Sequence, residues 1–260
     1  MRLGGRVALV TECGFGETYG VVWARALARE GAAVMVADRD LARAEAVAAT
    51  CDGRAAATAL DVGSQASCDA AVAAAVERFG GLDVLANTHH LWHDFRADDA
   101  SDAYLHHVLD VNAVSIVRTA RAALPAFRAR GGGRIVSLSS IGAWQVGDRL
   151  ARRVAETGEI PGLGYSASKI LENGLTRLLA NALGQLGVTV NAIAPGMIAS
   201  PATLARLSPT EQRAFVDRTA LRRMLRVEDT VGTLLHLASD DAALVTGQVL
   251  VVDAGLVMLG

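Results

Sequence analysis

A tyrosine and a lysine stand four residues apart in the segment 165–169, Tyr-Ser-Ala-Ser-Lys, at the start of a predicted helix. Positions four apart share a helical face, so the Lys169 ammonium can reach towards the Tyr165 phenol. A free tyrosine titrates at about pH 10, which is too high for a base at neutral pH. A fixed neighbouring cation favours the phenolate and makes Tyr165 a usable proton donor or acceptor. The same spacing also fits an ordinary surface pair, so the neighbouring segments decide.

Three further segments carry polar side chains in a suggestive order. The apolar run Gly133–Leu138 reads as a buried strand and is followed by two hydroxyls, Ser139 and Ser140. Strand ends are where an α/β sheet presents side chains to a ligand. Asp110–Ala113 lies upstream and Asn191–Gly196 downstream.

In this order, the segments resemble the short-chain dehydrogenase/reductase family over essentially residues 4–256. The resemblance includes the shorter segments 60–62, 81–85 and 237–249, and the joint order is far more specific than any one of them. It implies a catalytic tetrad of Asn112, Ser140, Tyr165 and Lys169.

The resemblance also implies a role for each member of the tetrad. Tyr165 would exchange a proton with the substrate oxygen, and Ser140 would hydrogen-bond that oxygen. Lys169 would assist Tyr165 and hold the nicotinamide ribose, while Asn112 would anchor a water that links Lys169 to solvent. Ser139 is the less favoured serine, expected to cap local backbone.

The turn after the first strand, Thr11–Gly20, is less regular. Counted back from a helix predicted over Ala24–Glu30, Gly20 matches the last glycine of the family's phosphate-binding turn and Gly14 its first. Thr18 then replaces the middle glycine, and the turn is two residues longer than usual. Glu12 and Glu17 would disfavour phosphates unless they point to solvent, so retained and degraded cofactor binding both stay open.

Asp38 follows the second predicted strand, where a carboxylate can accept both ribose hydroxyls of NAD and repel the extra phosphate of NADP. Arg39 could instead meet that phosphate, so NAD is expected and NADP is the alternative. Asp38 would serve equally well as a helix N-cap. The full set of predicted cofactor-binding residues is Gly14, Gly16, Thr18, Tyr19, Gly20, Asp38, Arg39, Asp61, Val62, Asn87, Tyr165, Lys169, Pro195, Gly196, Ile198 and Ser200.

Asn87-Thr88-His89-His90 stands where the family has Asn-Asn-Ala-Gly. Two histidines replace small residues beside the expected cofactor ribose. With His93 they invite a metal interpretation, but no carboxylate partner is specified, so we predict no metal and expect substrate contact or a surface loop. His106 and His107 are expected to face solvent from a helix.

Short apolar runs alternate with helical segments along the chain, from Arg6–Val10 to Val249–Val252. This rhythm predicts a Rossmann-like, doubly wound parallel α/β sheet with helices on both faces, as a single domain over residues 1–260. Two segments interrupt the rhythm, at about 144–162 and 200–221. We expect them to be substrate loops, and we interpret Trp144–Gly162 as a lid or an oligomer-facing flap over the site. A salt-bridged surface helix is its ordinary alternative.

Composition excludes several classes of protein. The 260 residues are 52% hydrophobic with a formal charge of −2, which argues against disorder, nucleic-acid binding and an anionic membrane surface. Three cysteines without a CxxC spacing argue against a disulfide framework or a zinc site. With no signal peptide or apolar span recognised, we expect a cytoplasmic protein.

These observations predict an NAD(P)(H)-dependent oxidoreductase that acts on a small-molecule alcohol or carbonyl, with Tyr165 as acid and base. The alternative is a non-redox enzyme on the same scaffold (a lyase, dehydratase, epimerase or cyclase) that uses Ser140 and Tyr165, and a catalytically silent partner is a third. The resemblance further implies a homotetramer or dimer.

Overall fold

A computed structural model of the chain describes residues 1–12, 18–91, 99–145, 151, 154–160 and 162–259. Seven strands form one parallel sheet in the order β3-β2-β1-β4-β5-β6-β7. Their bounds are β1 Val7–Thr11, β2 Ala33–Asp38, β3 Ala55–Ala59, β4 Val84–Asn87, β5 Gly133–Leu138, β6 Val188–Pro195 and β7 Val249–Val252. The strand order reverses between β1 and β4, which confirms the predicted doubly wound fold.

Helices cover both faces of the sheet. They are α1 Tyr19–Arg29, α2 Leu41–Ala48, α3 Gln65–Phe79, α4 Asp102–Leu109, α5 Ser115–Arg130, α6 Gly164–Leu183, α7 Pro201–Arg206, α8 Pro209–Arg218 and α9 Val231–Ala238. A π-helical turn, Asp110–Val114, joins α4 to α5. Within the described ranges, no helix combines the length and apolar character needed to cross a membrane.

The strands are buried on both faces because their side chains alternate between two cores. In β2, Val34 and Val36 pack in the core beneath α1 and α9, which is centred on Trp23. Met35, between them, faces the opposite core with Phe127 of α5. The side-chain period of two thus makes a continuous apolar run the signature of a central parallel strand.

The predicted strands Arg6–Val10, Gly133–Leu138 and Val249–Val252 lie within one residue of β1, β5 and β7, but the predicted start of α1 at Ala24 is wrong. The helix begins at Tyr19, where the Thr18 hydroxyl accepts a hydrogen bond from the backbone N–H of Val21. A glycine and two β-branched valines in the first turn lower the helix propensity and hide this start in the sequence. The helix predicted to start at Tyr165 begins at Gly164, ends as an α-helix at Leu183 and continues as a 3₁₀ turn.

The segment Trp144–Gly162 is described in part. Trp144 is half-buried after the short 3₁₀ turn Ile141–Ala143, and residues 154–157 are helical and exposed. Trp92, the third loop histidine, His93, and the arginines at 149, 152 and 153 lie outside the described residues.

Candidate active site

The carboxyl ends of β1, β2, β4, β5 and β6 lie along one edge of the sheet, because the strands are parallel and adjacent. Side chains that follow them are therefore brought together from positions far apart in sequence. This edge holds the residues singled out from the sequence.

Ser140 and Tyr165 face each other across Gly142. A Cβ placed on Gly142 would lie 3.2 Å from Cε1 of Tyr165 and 3.3 Å from Oγ of Ser140, so both groups border the same small space. The Ser140 Oγ accepts a hydrogen bond from the Gly142 backbone N–H at 3.0 Å. Its own proton stays available to a further acceptor. Both side chains are half-buried, within reach of a ligand.

Ser139 has a different role from the one expected. Its hydroxyl donates to Oδ1 of Asn173 at 2.6 Å and so links the end of β5 to α6. The prediction that Ser139 caps local backbone is wrong. Ser140 is the residue that caps, at the start of the Ile141–Ala143 turn.

Lys169 lies on the same side of α6 as Tyr165, with Nζ 6.0 Å from the centre of the phenol ring. It is 1% exposed and donates to the carbonyl oxygen of Leu138 at 2.7 Å. It also donates to Oε2 of Glu172 at 2.8 Å, in an ion pair buried on both sides. The expected surface-pair alternative is therefore excluded. Sequence reasoning missed Glu172, although its i+3 spacing from Lys169 was visible.

Asn112 lies in the π-helical turn, and its buried side chain makes two hydrogen bonds. Its Oδ1 accepts from the Leu91 backbone N–H at 2.6 Å, and its Nδ2 donates to Oγ of Ser168 at 3.1 Å. It thus fixes the chain after β4 against α6.

His89 is buried, contrary to the prediction of a surface loop or a substrate contact. Its Nδ1 lies 2.8 Å from the Thr11 hydroxyl and its Nε2 2.6 Å from the Ser115 hydroxyl. The Ser115 hydroxyl donates to the carbonyl oxygen of Val111, so it must accept from Nε2–H, and Nδ1 accepts from Thr11. Burial, with smaller contributions from Lys169 and His90, lowers the pKa of His89 to about 3. A neutral imidazole here joins the end of β1 and the chain after β4 to the start of α5.

The next histidines to consider are His106 and His107 on α4 and His90 beside the site. His106 and His107 are exposed on α4, as predicted. His90 is half-buried and packs edge-on against Tyr19, with ring centres 6.2 Å apart. Within the described ranges, no three His, Cys, Asp or Glu side chains converge as metal ligands would.

Tyr19, at the start of α1, approaches the reaction end of the site. Burial, and then the neighbouring Tyr165 phenol, raises the pKa of Tyr19 well above its ordinary value. Tyr19 therefore stays a neutral phenol and does not compete with Tyr165 as a base. Gly20 is buried in the first turn of α1, while Gly14 and Gly16 lie outside the described residues.

Asp38 ends β2 and is 1% exposed. Its Oδ1 accepts from the backbone N–H of Asp40 at 2.9 Å and from Nη1 of Arg43 at 3.2 Å. Asp40, rather than Asp38, is the N-cap of α2. Arg39, the candidate partner of a 2′-phosphate, is paired with Oδ1 of Asp61 at 3.3 Å.

Glu12 directly follows β1 with a backbone φ of 52°, in the left-handed region that favours glycine. Burial, and then the nearby Asp38 carboxylate, raises the pKa of Glu12. The side chain is half-buried and does not point freely to solvent. Two carboxyl groups thus lie near one another at the ends of β1 and β2.

A dinucleotide fits this edge in two respects. Asn87 ends β4 and donates through Nδ2 to the Ser137 hydroxyl at 3.2 Å, whereas its buried Oδ1 receives no hydrogen bond from any described residue. A ligand hydroxyl could supply the missing donor. In addition, α1 begins at this edge, and a helix N-terminus favours phosphate.

The remaining predicted residues lie around the end of β6. Pro195 ends the strand, and a Cβ on Gly196 would approach Asp253 to 2.9 Å, so the chain passes here in close contact. Ile198 forms an isolated bridge with Leu225, and the Ser200 hydroxyl caps α7 by accepting from the Thr203 backbone N–H. The buried Val62 follows Asp61 beyond β3.

Comparison with known proteins agrees with this architecture. A family model described as enoyl-(acyl carrier protein) reductase matches residues 17–257. Galactitol 2-dehydrogenase of Agrobacterium fabrum is 34% identical, over 98% of this chain and 98% of its own length. The 3-alpha-(or 20-beta)-hydroxysteroid dehydrogenase of Mycobacterium bovis is 34% identical, over 98% and 91%. A 7α-hydroxysteroid dehydrogenase structure, complexed with NADH and 7-oxo glycochenodeoxycholic acid, superimposes with a TM-score of 0.84 at 28% identity, over 98% and 95%.

The resemblance inferred from the motifs is thereby confirmed on the whole chain. The family model spans most of the residues, and the dehydrogenase relatives match over nearly their full length. The chain belongs to the short-chain dehydrogenase/reductase family.

Proposed function

We propose that this protein is a nicotinamide-dependent oxidoreductase that interconverts a secondary alcohol and a ketone, with Tyr165 as general acid and base. One observation carries the proposal. Ser140 and Tyr165 border the same space at the carboxyl edge of the sheet, and the buried Lys169 ammonium lies 6.0 Å from the phenol ring. The relatives are named as dehydrogenases, so the non-redox alternative is not favoured.

The protein side of the reaction follows from these contacts. A substrate oxygen between Ser140 and Tyr165 would accept a hydrogen bond from the Ser140 hydroxyl, because Gly142 already occupies a lone pair of that hydroxyl. In oxidation, the Tyr165 phenolate removes the alcohol proton, and in reduction the phenol returns it to the oxygen of the carbonyl. The Lys169 ammonium stabilises the phenolate through its charge. A bound nicotinamide would supply the hydride acceptor or donor.

NAD is the cofactor that we propose, with NADP as the alternative. Asp38 and Glu12 place two carboxyl groups at the ends of β1 and β2, where an additional phosphate would be repelled. The two nearby cations are already paired with carboxylates, Arg39 with Asp61 and Arg43 with Asp38. NADH is also the dinucleotide in the complex of the 7α-hydroxysteroid dehydrogenase neighbour.

The substrate loops remain part of the proposal. In the segment 200–221, α7 and α8 are joined at the serine-capped start of α8, Ser208, and Leu204 and Leu221 are exposed. We place the substrate between this segment and Trp144–Gly162. Replacing 146–160 with a short Gly-Ser linker should change KM and substrate preference while NADH affinity stays nearly constant.

We also propose a homo-oligomer, a dimer or tetramer, in the reducing cytoplasm. Ile170, Leu171 and Leu178 form an exposed apolar surface on α6. Such a surface favours contact with a second copy. A monomer mass in light scattering at micromolar concentration would contradict it.

The function is tested with NADH binding, measured by fluorescence, and with turnover on a panel of sugar alcohols and hydroxysteroids, the substrate classes named for the relatives. The Tyr165→Phe variant should bind NADH like the wild type and lose roughly 10²–10⁴-fold in turnover. Tyr104→Phe, on α4, is the matched control. Turnover near the wild-type rate in Tyr165→Phe would reject the mechanism, and failure to bind either dinucleotide would reject the redox function.

A further inference from the structure

Lys169 and Glu172 form a charged pair that is sealed inside the protein. Their side chains are 1% and 2% exposed, and Nζ lies 2.8 Å from Oε2. They are three positions apart on α6, so the helix itself holds the pair together. Glu172 is the only acidic side chain in contact with Lys169 among the residues that the structure describes.

Burial makes each of these charges dependent on the other. Removing an ion from water disfavours its charged form, by up to three to five pH units in the titration of a fully buried group. For Glu172, burial raises the pKa to about 7, although the ammonium of Lys169 opposes that shift. A buried Lys169 without a carboxylate partner would be pushed towards its neutral form by the same effect.

The groups that face Lys169 do not replace this carboxylate. Tyr165 on the same helix offers a phenol, and Leu138 at the end of β5 offers a carbonyl oxygen. His89, at the end of β4, is a neutral imidazole whose two nitrogens are bonded to hydroxyls. The counter-charge for the ammonium thus comes from Glu172.

The pair also fixes a direction. An ammonium has three N–H donors, and Leu138 and Glu172 accept two of them. The third is taken by no described residue, and the centre of the Tyr165 ring lies 6.0 Å from Nζ. Since both acceptors are themselves buried, the lysine head is held in one orientation.

We propose that Glu172 is a positioning residue: its carboxylate keeps Lys169 in the ammonium form and aims the remaining N–H donor of Lys169 at the reaction site. The proposal rests on the proposed function, since it concerns how Lys169 serves Tyr165. The positive charge of Lys169 beside Tyr165 would thus depend on the buried carboxylate of Glu172.

The sequence offers a direct probe, because Lys169 is the only lysine among the 260 residues. Protein labelled with ¹³Cε-lysine gives one side-chain NMR signal, whose chemical shift follows the protonation of Lys169 from pH 6 to 11. In the wild type the ammonium should persist beyond pH 9. In Glu172→Gln its titration midpoint should fall by two pH units or more, in line with the roughly three to five units found for buried lysines.

Two controls keep this test decisive. Glu45→Gln changes an exposed glutamate on α2 and should leave the lysine signal unchanged. Glu172→Asp keeps the charge and should restore most of the midpoint. If Glu172→Gln does not fold, the wild-type signal still decides, because a Lys169 that loses its proton below pH 9 would lack an effective counter-charge. An unchanged midpoint in a folded Glu172→Gln, or a wild-type midpoint below pH 9, overturns the proposal.

Kinetics then separate positioning from simple structural support. In wild-type alcohol oxidation, kcat/KM should rise with pH. In Glu172→Gln it should stop rising or fall above neutral pH, because Lys169 loses its proton there, while NADH affinity at pH 6.5 stays within about threefold. A uniform loss at every pH would indicate a structural role and reject the proposal. The NMR result does not require turnover, so a failure of the proposed function is recognised separately.

Discussion

The two halves of the carboxyl edge differ in how they depart from a simple reading of the sequence. Around β5 and α6, Tyr165 and Lys169 lie on one side of the helix, as their spacing predicts. Ser140 borders the Tyr165 ring, and Glu172 pairs with Lys169. Around β1, β2 and β4, the residues themselves are unusual. Glu12 occupies a left-handed conformation, and His89 stands where a small residue was expected.

Both halves accommodate buried polar groups, but by different means. Around β5 and α6, the buried ammonium of Lys169 is neutralised by the carboxylate of Glu172. Around β1, β2 and β4, the neutral His89 has both ring nitrogens hydrogen-bonded. Glu12 and Asp38 bring two carboxyl groups together in the same region. A bulky or charged side chain in place of a small one is thus tolerated where the fold supplies hydrogen-bond or ion-pair partners. Where partners are missing, burying that side chain lowers the stability of the fold.

The largest effect is expected from breaking the charged pair. Lys169→Met leaves the Glu172 carboxylate buried without its counter-charge, which should lower the free energy of unfolding by about 3–5 kcal/mol at pH 8. At pH 5.5 Glu172 is protonated, since its pKa is about 7, so the loss should be much smaller. Urea unfolding at both pH values measures this, and Lys169→Met combined with Glu172→Leu should recover most of the stability. An equal loss at both pH values would contradict the interaction.

The neutral histidine should produce the opposite pH dependence. The pKa of His89 is about 3 in the folded protein and about 6.5 when unfolded, so its contribution to stability is present above pH 6.5 and is lost as the pH falls towards 3. By about pH 4.5 this loss amounts to roughly 3 kcal/mol. The raised pKa of Glu172 acts in the opposite sense, because its contribution is lost as the pH rises through 7.

A single variant separates the two slopes. In His89→Gln an amide can still donate to Ser115 and accept from Thr11, but it does not titrate. In urea unfolding between pH 4.5 and 7, the free energy of unfolding of this variant should therefore depend much less on pH at the acid end than that of the wild type. The remaining pH dependence should be the one due to Glu172. His106→Gln, at an exposed position on α4, is the control and should leave the wild-type slope in place. If the His89→Gln slope matches the wild type, the buried neutral imidazole is not its source.

The smallest effect concerns the strained turn. A non-glycine residue in the left-handed region costs roughly 1–2 kcal/mol, so Glu12→Gly should raise the free energy of unfolding by about 1 kcal/mol. Removing the charge near the expected phosphates should also tighten NADH binding about tenfold, or 1.4 kcal/mol. Glu12→Gln removes the charge and keeps the strain, so it should reproduce the gain in affinity without the gain in stability. Calorimetry and urea unfolding test both effects, and weaker NADH binding in Glu12→Gly would show that the carboxylate aids the cofactor.

The sequence by itself determined the alternation of strands and helices, the parallel sheet and the family, because apolar periodicity and the order of motifs can be read directly along the chain. It also placed Tyr165 and Lys169 on one helical side and exposed His106 and His107, since the helical repeat alone decides these relations. The turn after β1 was harder: β-branched residues and a glycine concealed the first turn of α1.

Only the tertiary structure decided which partner each polar side chain takes. Thr11 and His89 are 78 positions apart, and Asn112 and Ser168 are 56 apart, yet each pair is hydrogen-bonded. Glu172 was near Lys169 in sequence, but its importance depends on both side chains being enclosed by packing from other elements. Spacing along one helix shows which side chains can come into contact. The energy of that contact depends on how deeply the two groups are buried, and burial is a property of the assembled sheet and helices.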